Sequence, residues 1–210
     1  IHQPVHRLPQ RLLAQALGVE PGRLTLRLPE AVILDSLAAY EAFLARRAKR
    51  EPVAQILGER LFWGRAFRVT RDVLDPRPET EALVACALEE PFGRVLDLGT
   101  GTGCLLVTLL AERPEAVGVG LDLSPAAIAV ARGNAARHGV AERAGFAVSD
   151  WLDGAEGRFD LILSNPPYVA AADMAGLEPE VRDWEPAMAL TDGGDGLGAE
   201  RGFRFRRRCN

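Results

Sequence analysis

The sequence predicts an α/β protein whose parallel sheet is preceded by a small helical module. From Arg94 onward, short apolar runs typical of strands alternate with segments of helical periodicity, which is the pattern of βαβ units. The first fifty residues carry apolar side chains at helical spacing and no strand pattern. A chain of 210 residues that is 48% hydrophobic and 26% charged suits one such domain with an appended module.

Two helices are predicted in the first module. A short one runs from Arg11 to Leu17 and ends at Gly18, and a longer one runs from Pro29 to Arg50. The apolar residues that share one predicted face of the longer helix are Ile33, Leu37, Tyr40 and Leu44. We therefore assign residues 1–58 to an N-terminal helical module.

A β-hairpin is predicted next, because two short aromatic and branched runs flank Gly64. We assign residues 59–75 to this hairpin as a linker, and residues 76–210 to the main domain. The prolines at its start, Pro76 and Pro78, favour extended backbone before a helix that reaches about Leu88.

The main domain shows four strands and two intervening helices. The predicted strands are Val95–Asp97, Val117–Leu121, Phe146–Val148 and Phe159–Leu163. The predicted helices are Cys104–Glu112 and one that begins after Ser124 and closes at Gly139. No clear strand follows Ser164, so we expect C-terminal strands to be missing and the arginine-rich residues 201–210 not to continue the domain naturally.

Composition excludes several classes of protein. The three cysteines are far apart, so neither a zinc site nor a disulfide framework is predicted. The only lysine, Lys49, lies outside any Walker sequence, which excludes a phosphate-binding loop of that type. No secretory leader or membrane-spanning run is visible, so we expect a cytoplasmic protein. Without residues 201–210 the chain has 20 basic and 29 acidic residues, and this acidic balance argues against nucleic acid as a direct substrate.

A glycine-rich loop joins the first predicted strand to the first helix. The nicotinamide fingerprint would need a third glycine at position 104, where Cys104 stands, so the loop is not of that kind. An acid ahead of the loop repels a pyrophosphate but attracts a cation, such as the ammonium or sulfonium of S-adenosylmethionine. The candidate ligand contacts in the loop are Asp97, Leu98, Gly99, Thr100 and Gly101.

Acidic residues also end the next two strands. Asp122 is placed to bind both ribose hydroxyls of an adenosine ligand, although an acid that caps the helix near Ser124 would show the same pattern. Asp150 is placed to accept the adenine amino group, and Trp151 to pack on the purine.

The turn Asn165-Pro166-Pro167-Tyr168 follows the fourth strand. Its prolines remove two donors, so the turn presents two acceptors, the Asn165 side-chain oxygen and the Pro166 carbonyl. An incoming –NH₂ group can donate to both while its nitrogen is aimed at an electrophile, and Tyr168 can stack on the planar group. Positioning and desolvation of the –NH₂ group would then allow this poor nucleophile to be methylated without a strong base.

From about Arg11 to Gly196 the chain resembles the HemK-type protein-glutamine methyltransferases. The stretches that carry the resemblance are Glu51–Ala54 with Ile56–Gly58, Phe62–Gly64, Pro76–Glu81, Asp97–Gly103, Asp150-Trp151, Asn165–Tyr168, and Val181-Arg182 with Glu185-Pro186. Asp75 departs from the apolar residue usual before the Pro-Arg-Pro segment.

The resemblance implies a Rossmann-like methyltransferase sheet that binds S-adenosylmethionine, and an N-terminal module that docks a protein substrate. The implied reaction methylates the glutamine of the Gly-Gly-Gln motif in class-1 peptide-chain release factors. Its cofactor contacts fall on Asp97–Gly101, Asp122, Trp151 and Asn165, and its substrate contacts on Asn165–Tyr168. Two alternatives stay open: a nucleic-acid amino-methyltransferase, which shares the Asn-Pro-Pro-Tyr turn, and a truncated, non-catalytic cofactor-binding fragment.

Overall fold

The structure is a computed structural model that describes residues 8–24 and 34–198. Contacts divide the chain after Gly58 into two compact units. The expectation about residues 201–210 and the predicted start of the long helix at Pro29 lie outside the described residues.

The first unit is helical, as predicted. Its α-helices are α1 (Leu8–Ala16), α2 (Leu34–Ala48) and α3 (Val53–Leu57), with a 3₁₀ turn at Pro21–Arg23. Arg46, in the last turn of α2, donates to both carboxylate oxygens of the buried Glu51 and to the carbonyl of Ile56. This charge-assisted network fixes the chain between α2 and α3.

The face that α2 buries differs from the predicted one. Leu37 and Leu44 are 45% and 39% exposed, whereas Tyr40 and Phe43 are partly buried. The partly buried residues of α2 form a stripe that is rotated by part of a turn from the predicted face. The rotation follows because Arg46 and Arg47, in the last turn, are partly buried and bond to Glu51. Leu37 and Leu44 lie on the same side of the buried stripe, so their helical spacing alone points to the wrong face.

The segment predicted as a linker is packed within the second unit. Strands β1 (Glu59–Phe62) and β2 (Arg65–Arg68) form an antiparallel hairpin with Leu61 opposite Ala66. The rings of Phe62 and Phe67 meet edge to face at 6.1 Å and are almost fully buried in that unit's core. The hairpin therefore contributes to the stability of the second unit.

A four-stranded parallel sheet forms the centre of the second unit. Its strands are β3 (Arg94–Leu98), β4 (Val117–Asp122), β5 (Ala144–Val148) and β6 (Leu161–Ser164), in the order β5-β4-β3-β6. Its longer helices are α4 (Glu81–Ala87), α5 (Cys104–Glu112) and α6 (Pro125–Arg137); a 3₁₀ turn, Pro78–Thr80, precedes α4. The parallel α/β prediction is confirmed, and the observed α5 has the predicted bounds.

The fourth strand begins two residues later than predicted. Asp160 accepts hydrogen bonds from the backbone N–H groups of Gly93 and Arg94, at 2.9 and 2.8 Å, so it pins the chain before β6 starts. The Arg94 guanidinium covers the ring of Phe159 at 4.8 Å. Two short helices, α7 (Pro179–Arg182) and α8 (Ala187–Leu190), follow β6.

Close packing of α5 on the sheet requires a glycine in β4. A Cβ added to Gly118 would lie 2.5 Å from a methyl group of Leu106 and 3.0 Å from the carbonyl oxygen of Val95. Neither neighbour can retreat easily, because both are fully buried.

Thr108, on α5, offers a test of this packing. Its side chain is fully buried and its hydroxyl has no hydrogen-bond partner among the described residues. We expect Thr108→Val to raise the free energy of unfolding by about 1 kcal/mol, because a methyl group avoids the desolvation cost of an unpaired hydroxyl. Urea titration of both proteins measures the difference, and a loss of stability would show that the hydroxyl has a partner in solution.

Candidate functional site

A cavity of about 390 Å³ lies at the carboxyl ends of the parallel strands, where open α/β sheets bind ligands. Its volume falls in the range of small-molecule sites, roughly 300–1,000 Å³. The predicted residues that line it are Gly99, Thr100, Gly101, Asp122, Asp150, Trp151, Asn165 and Pro167. Four other predicted residues do not line it: Asp97, Leu98, Pro166 and Tyr168.

The glycine-rich loop forms one wall of the cavity. Gly99 and Gly101 have φ values of +68° and +54°, a region that residues with a Cβ rarely adopt. A Cβ added to Gly99 would meet no atom within 4 Å, so the loop leaves open space beside it. The Thr100 N–H donates to the carbonyl of Leu121 at 2.9 Å, which ties the loop to β4.

Asp97 lies beneath the loop rather than on the cavity wall. Its carboxylate is 1% exposed, and Oδ2 accepts a 2.6 Å hydrogen bond from the Thr100 hydroxyl. Oδ1 has no hydrogen-bond partner among the described residues. Burial raises the pKa of Asp97 to about 6. Leu98 is also buried, in a small apolar cluster with Leu96 and Leu121.

Asp122 lines the cavity and also bonds to the backbone on both sides of it. Oδ2 accepts from the N–H of Gly101 at 2.8 Å, and Oδ1 accepts from the N–H of Ser124 at 2.9 Å. The carboxylate therefore fixes both the loop and the start of α6, while it also lines the cavity. Each carboxylate oxygen can accept a further bond. Ser124 caps α6 by accepting from the N–H of Ala127 at 3.2 Å, as predicted.

Asp150 and Trp151 stand at the end of β5. Asp150 is exposed, and Trp151 packs partly against the apolar cluster beneath the loop. Trp151 has a φ of +48°, which is uncommon for a residue with a side chain. Ser149 stabilises this turn: its hydroxyl donates to the Trp151 carbonyl at 3.1 Å and accepts from the N–H of Gly154 at 2.7 Å.

Asn165 lies where two cavities meet. A second cavity, of about 570 Å³, shares five lining residues with the first: Leu74, Arg77, Thr80, Asn165 and Ala189. Pro166 and Tyr168 line this second cavity, and Tyr168 is 72% exposed. The predicted turn therefore spans both cavities, with Asn165 at the junction.

The first cavity carries an excess of negative charge. One cationic side chain lines it, Arg77, and both oxygens of the buried Glu185 accept from its guanidinium at 2.9 and 2.7 Å. Burial raises the pKa of Glu185 to about 7, against the opposing effect of Arg77. The carboxylates that line the cavity are Asp72, Asp75, Asp122, Asp150 and Asp192. This balance favours a cationic ligand and disfavours a phosphate.

Asn134, on α6, is a supporting residue that the sequence analysis missed. It is fully buried, and its amide accepts from the N–H of Arg68 at 2.8 Å and donates to the carbonyls of Arg68 and Thr102 at 3.1 and 2.9 Å. These bonds join the hairpin to the glycine-rich loop. No local signal marks Asn134, because its partners are remote in sequence.

Asp192 is a second supporting residue absent from the sequence analysis. Its exposed carboxylate accepts from the N–H groups of Gly194, Gly196 and Gly198 at 2.8, 3.2 and 2.6 Å. These bonds lower its pKa. The Ala171 N–H donates to the Gly194 carbonyl at 2.8 Å, so the Asp192 loop also supports the chain after Tyr168.

Neither a metal site nor a membrane-spanning helix is found among the described residues. Within residues 8–24 and 34–198, no three His, Cys, Asp or Glu side chains are grouped so that they could hold a metal ion. None of the helices described in these ranges is both long enough and apolar enough to span a membrane.

Both units are similar to known protein families. The model of the family described as "Methyltransferase small domain" matches residues 70–178, and that of "PrmC N-terminal domain" matches residues 2–58. The release factor glutamine methyltransferase of Cereibacter sphaeroides is 64% identical over 192 residues, which cover 91% of this chain and 69% of that protein. That of Rhodospirillum rubrum is 51% identical over 191 residues, covering 89% of this chain and 59% of that protein.

Among solved structures, the chain is similar to a SAM-dependent methyltransferase from Geobacter sulfurreducens in complex with S-adenosyl-L-homocysteine. The identity is 30%, the TM-score is 0.37, and the match covers 56% of this chain and 46% of the other. The chain spans 69% of the length of the first curated relative named above and 59% of the length of the second.

Proposed function

This chain belongs to the family of release factor glutamine methyltransferases, and we propose that it methylates a glutamine side-chain amide of a class-1 peptide-chain release factor. The methyl donor is S-adenosylmethionine. The observation that carries the proposal is the position of Asn165 at the junction of an acidic cavity and a second, more open one. A donor in the first cavity and an amide in the second would meet there.

The residues of the first cavity fit this donor. When bound, it supplies an electrophilic methyl group on a positively charged sulfur. Asp122 retains acceptor capacity for two ribose hydroxyls, and Asp150 and Trp151, which line the same cavity, would contact the adenine. Gly99 and Gly101 let the backbone approach the ligand closely. The carboxylate of Asp97, buried beneath the loop, would add negative charge on that side of the cavity.

The turn after β6 would orient the glutamine amide. Asn165 Oδ1 and the Pro166 carbonyl would accept one N–H each and hold the nitrogen in place for the methyl transfer. The N–C bond would form as the S–C bond of the donor breaks, and the amide would release one proton to water. Tyr168 is largely exposed at the second cavity and would cover the amide once the substrate arrives.

A protein substrate agrees better with the charges than a nucleic acid does. Arg77 is the single cationic side chain in the lining of either cavity, and it is paired with Glu185. A polyanionic backbone would need several free cations near the reacting base. We propose that residues 1–58 dock the release factor and that the protein acts in the cytoplasm, where release factors work.

Transfer of a labelled methyl group tests this function. The chain is incubated with labelled S-adenosylmethionine and, separately, with a release factor, ribosomal RNA or DNA. We expect label only in the release factor, and none in a release factor whose Gly-Gly-Gln glutamine is replaced by alanine. Label in RNA or DNA would favour the nucleic-acid alternative, and cofactor binding without any transfer would favour the non-catalytic one.

The raised pKa of Asp97 predicts a pH dependence of cofactor affinity. Its pKa of about 6, against an ordinary 3.8, means that folded protein holds a proton on Asp97 between about pH 4 and pH 6. This proton stabilises the fold as the pH falls, but it must leave before a cation binds beside the carboxylate. We expect affinity for S-adenosylmethionine to fall about tenfold from pH 7 to pH 5.

Calorimetry at each pH measures this dependence. Asp97→Asn serves as the control, since it removes the titrating group and leaves Asp122 and Glu185 in place. The variant should bind more weakly at pH 7 and lose most of the pH dependence. An unchanged pH profile in Asp97→Asn would assign the titration to another group.

A further inference from the structure

Thr80 lies directly before α4, as the last residue of the 3₁₀ turn Pro78–Thr80. Its φ and ψ of −69° and −19° are helical, so it is not a conventional N-cap, and its side chain accepts no backbone N–H of the first turn of α4. The residue is 7% exposed and lines both cavities. The hydroxyl is therefore free to serve another group.

That other group is the side chain of Asn165. Asn165 Nδ2 donates to Thr80 Oγ1 at 3.4 Å, across 85 positions of the sequence. Within the described residues the Asn165 side chain makes this hydrogen bond and no other, so its Oδ1 has no partner there. Anchoring the nitrogen of a planar amide fixes the plane, and with it the direction of the oxygen.

The backbone that carries Thr80 is itself held firmly. The Thr80 N–H donates to the carbonyl of Arg77 at 3.0 Å, and the Arg77 guanidinium bonds to the buried Glu185. On the other side, Glu81 accepts from the N–H of Trp63 in the hairpin at 2.7 Å. Because its backbone is held in this way, the Thr80 hydroxyl can restrain the Asn165 side chain rather than move with it.

We propose that Thr80 is a positioning residue for the methyl transfer, holding the Asn165 amide so that its oxygen faces the substrate nitrogen. The proposal rests on the function proposed above. An unanchored Asn165 would rotate about its side-chain bonds and spend part of its time with Oδ1 turned away. Such misplacement lowers turnover more than it lowers cofactor affinity, because the reacting nitrogen alone depends on it.

Thr80→Val tests the proposal, since it keeps the shape of the side chain and removes the acceptor. We expect kcat to fall about tenfold, while the affinity for S-adenosylmethionine measured by calorimetry changes less than twofold. Thr80→Ser keeps the hydroxyl and should restore most of the turnover. Thr108→Val is the matched control, because its buried hydroxyl has no partner to lose, and it should leave kcat unchanged.

A second measurement is independent of activity. In a ¹⁵N-labelled protein, the side-chain NH₂ resonances of Asn165, identified by their loss in Asn165→Ala, should shift in Thr80→Val and return towards their wild-type positions in Thr80→Ser. Wild-type turnover in a folded Thr80→Val protein, or Asn165 resonances that do not move, would overturn the proposal. Failure of the wild-type chain to methylate a release factor would instead refute the proposed function, and the resonances would still report whether Thr80 holds Asn165.

Discussion

Replacing Asn165 with alanine should lower turnover by about 10²–10³-fold, the usual cost of removing one preorganised hydrogen-bonding group at a reacting centre. The side chain stands at the junction of the two cavities and has an unpartnered acceptor oxygen. Under the proposed mechanism the glutamine amide would then keep one of its two acceptors, the Pro166 carbonyl, and its nitrogen would no longer be held in line. Single-turnover methylation of a saturating release factor measures the loss.

Cofactor affinity is the internal control for this variant. Asn165 also lines the first cavity, where we propose that the cofactor binds, so affinity should fall, but less than turnover does. The melting temperature should stay close to that of the wild type, because the residue is only partly buried and makes a single, long hydrogen bond. Turnover near the wild-type rate at saturating substrate would contradict the orienting role.

The parts of the site that follow strands could be predicted from the sequence. Asp122, Asp150 and Asn165 each end or follow an apolar run, and the carboxyl ends of parallel strands meet at one edge of the sheet. The bounds of α6 were equally accessible, because Ser124 and Pro125 carry the local chemistry of a helix start. These signals are local, and the topology assembles them.

The direction in which a side chain points was harder to predict. Asp97 follows the same rule as Asp122, yet it turns beneath the loop to bond to Thr100, while Asp122 reaches the cavity. A Cβ at Gly120 would lie 2.8 Å from the Thr100 hydroxyl, so that glycine makes the room in which Thr100 and Asp97 meet. Such a fit depends on neighbouring strands, and spacing along one strand does not encode it.

Changes in pKa that are caused by burial could not be predicted from the sequence either. Glu185 lies 108 positions from Arg77, and its raised pKa follows from burial against that partner. The hairpin was predicted as an element but not as part of a core, because nothing in the runs around Gly64 shows that Phe62 and Phe67 pack with the helices of the sheet domain. Tertiary packing decided both outcomes.

Asn134→Ala should lower the free energy of unfolding by about 3 kcal/mol or more. It leaves three backbone groups, which the amide now bonds to, without a hydrogen-bond partner. Those groups are the N–H and carbonyl of Arg68 and the carbonyl of Thr102. Thr102 belongs to the glycine-rich loop and lines the first cavity, so the change should also loosen that cavity's wall. Urea unfolding measures the first effect, and S-adenosylmethionine calorimetry the second.

The neighbouring residue on α6 supplies the matched control. Gly133 is exposed, and a Cβ added there meets no atom within 4 Å, so Gly133→Ala should stabilise the protein by about 0.5–1 kcal/mol through helix propensity alone. Two alanine substitutions one residue apart are thus expected to act with opposite sign. If Asn134→Ala instead behaved like Gly133→Ala, the hairpin would be held by its aromatic core without this amide, and Asn134 would have no part in supporting the loop.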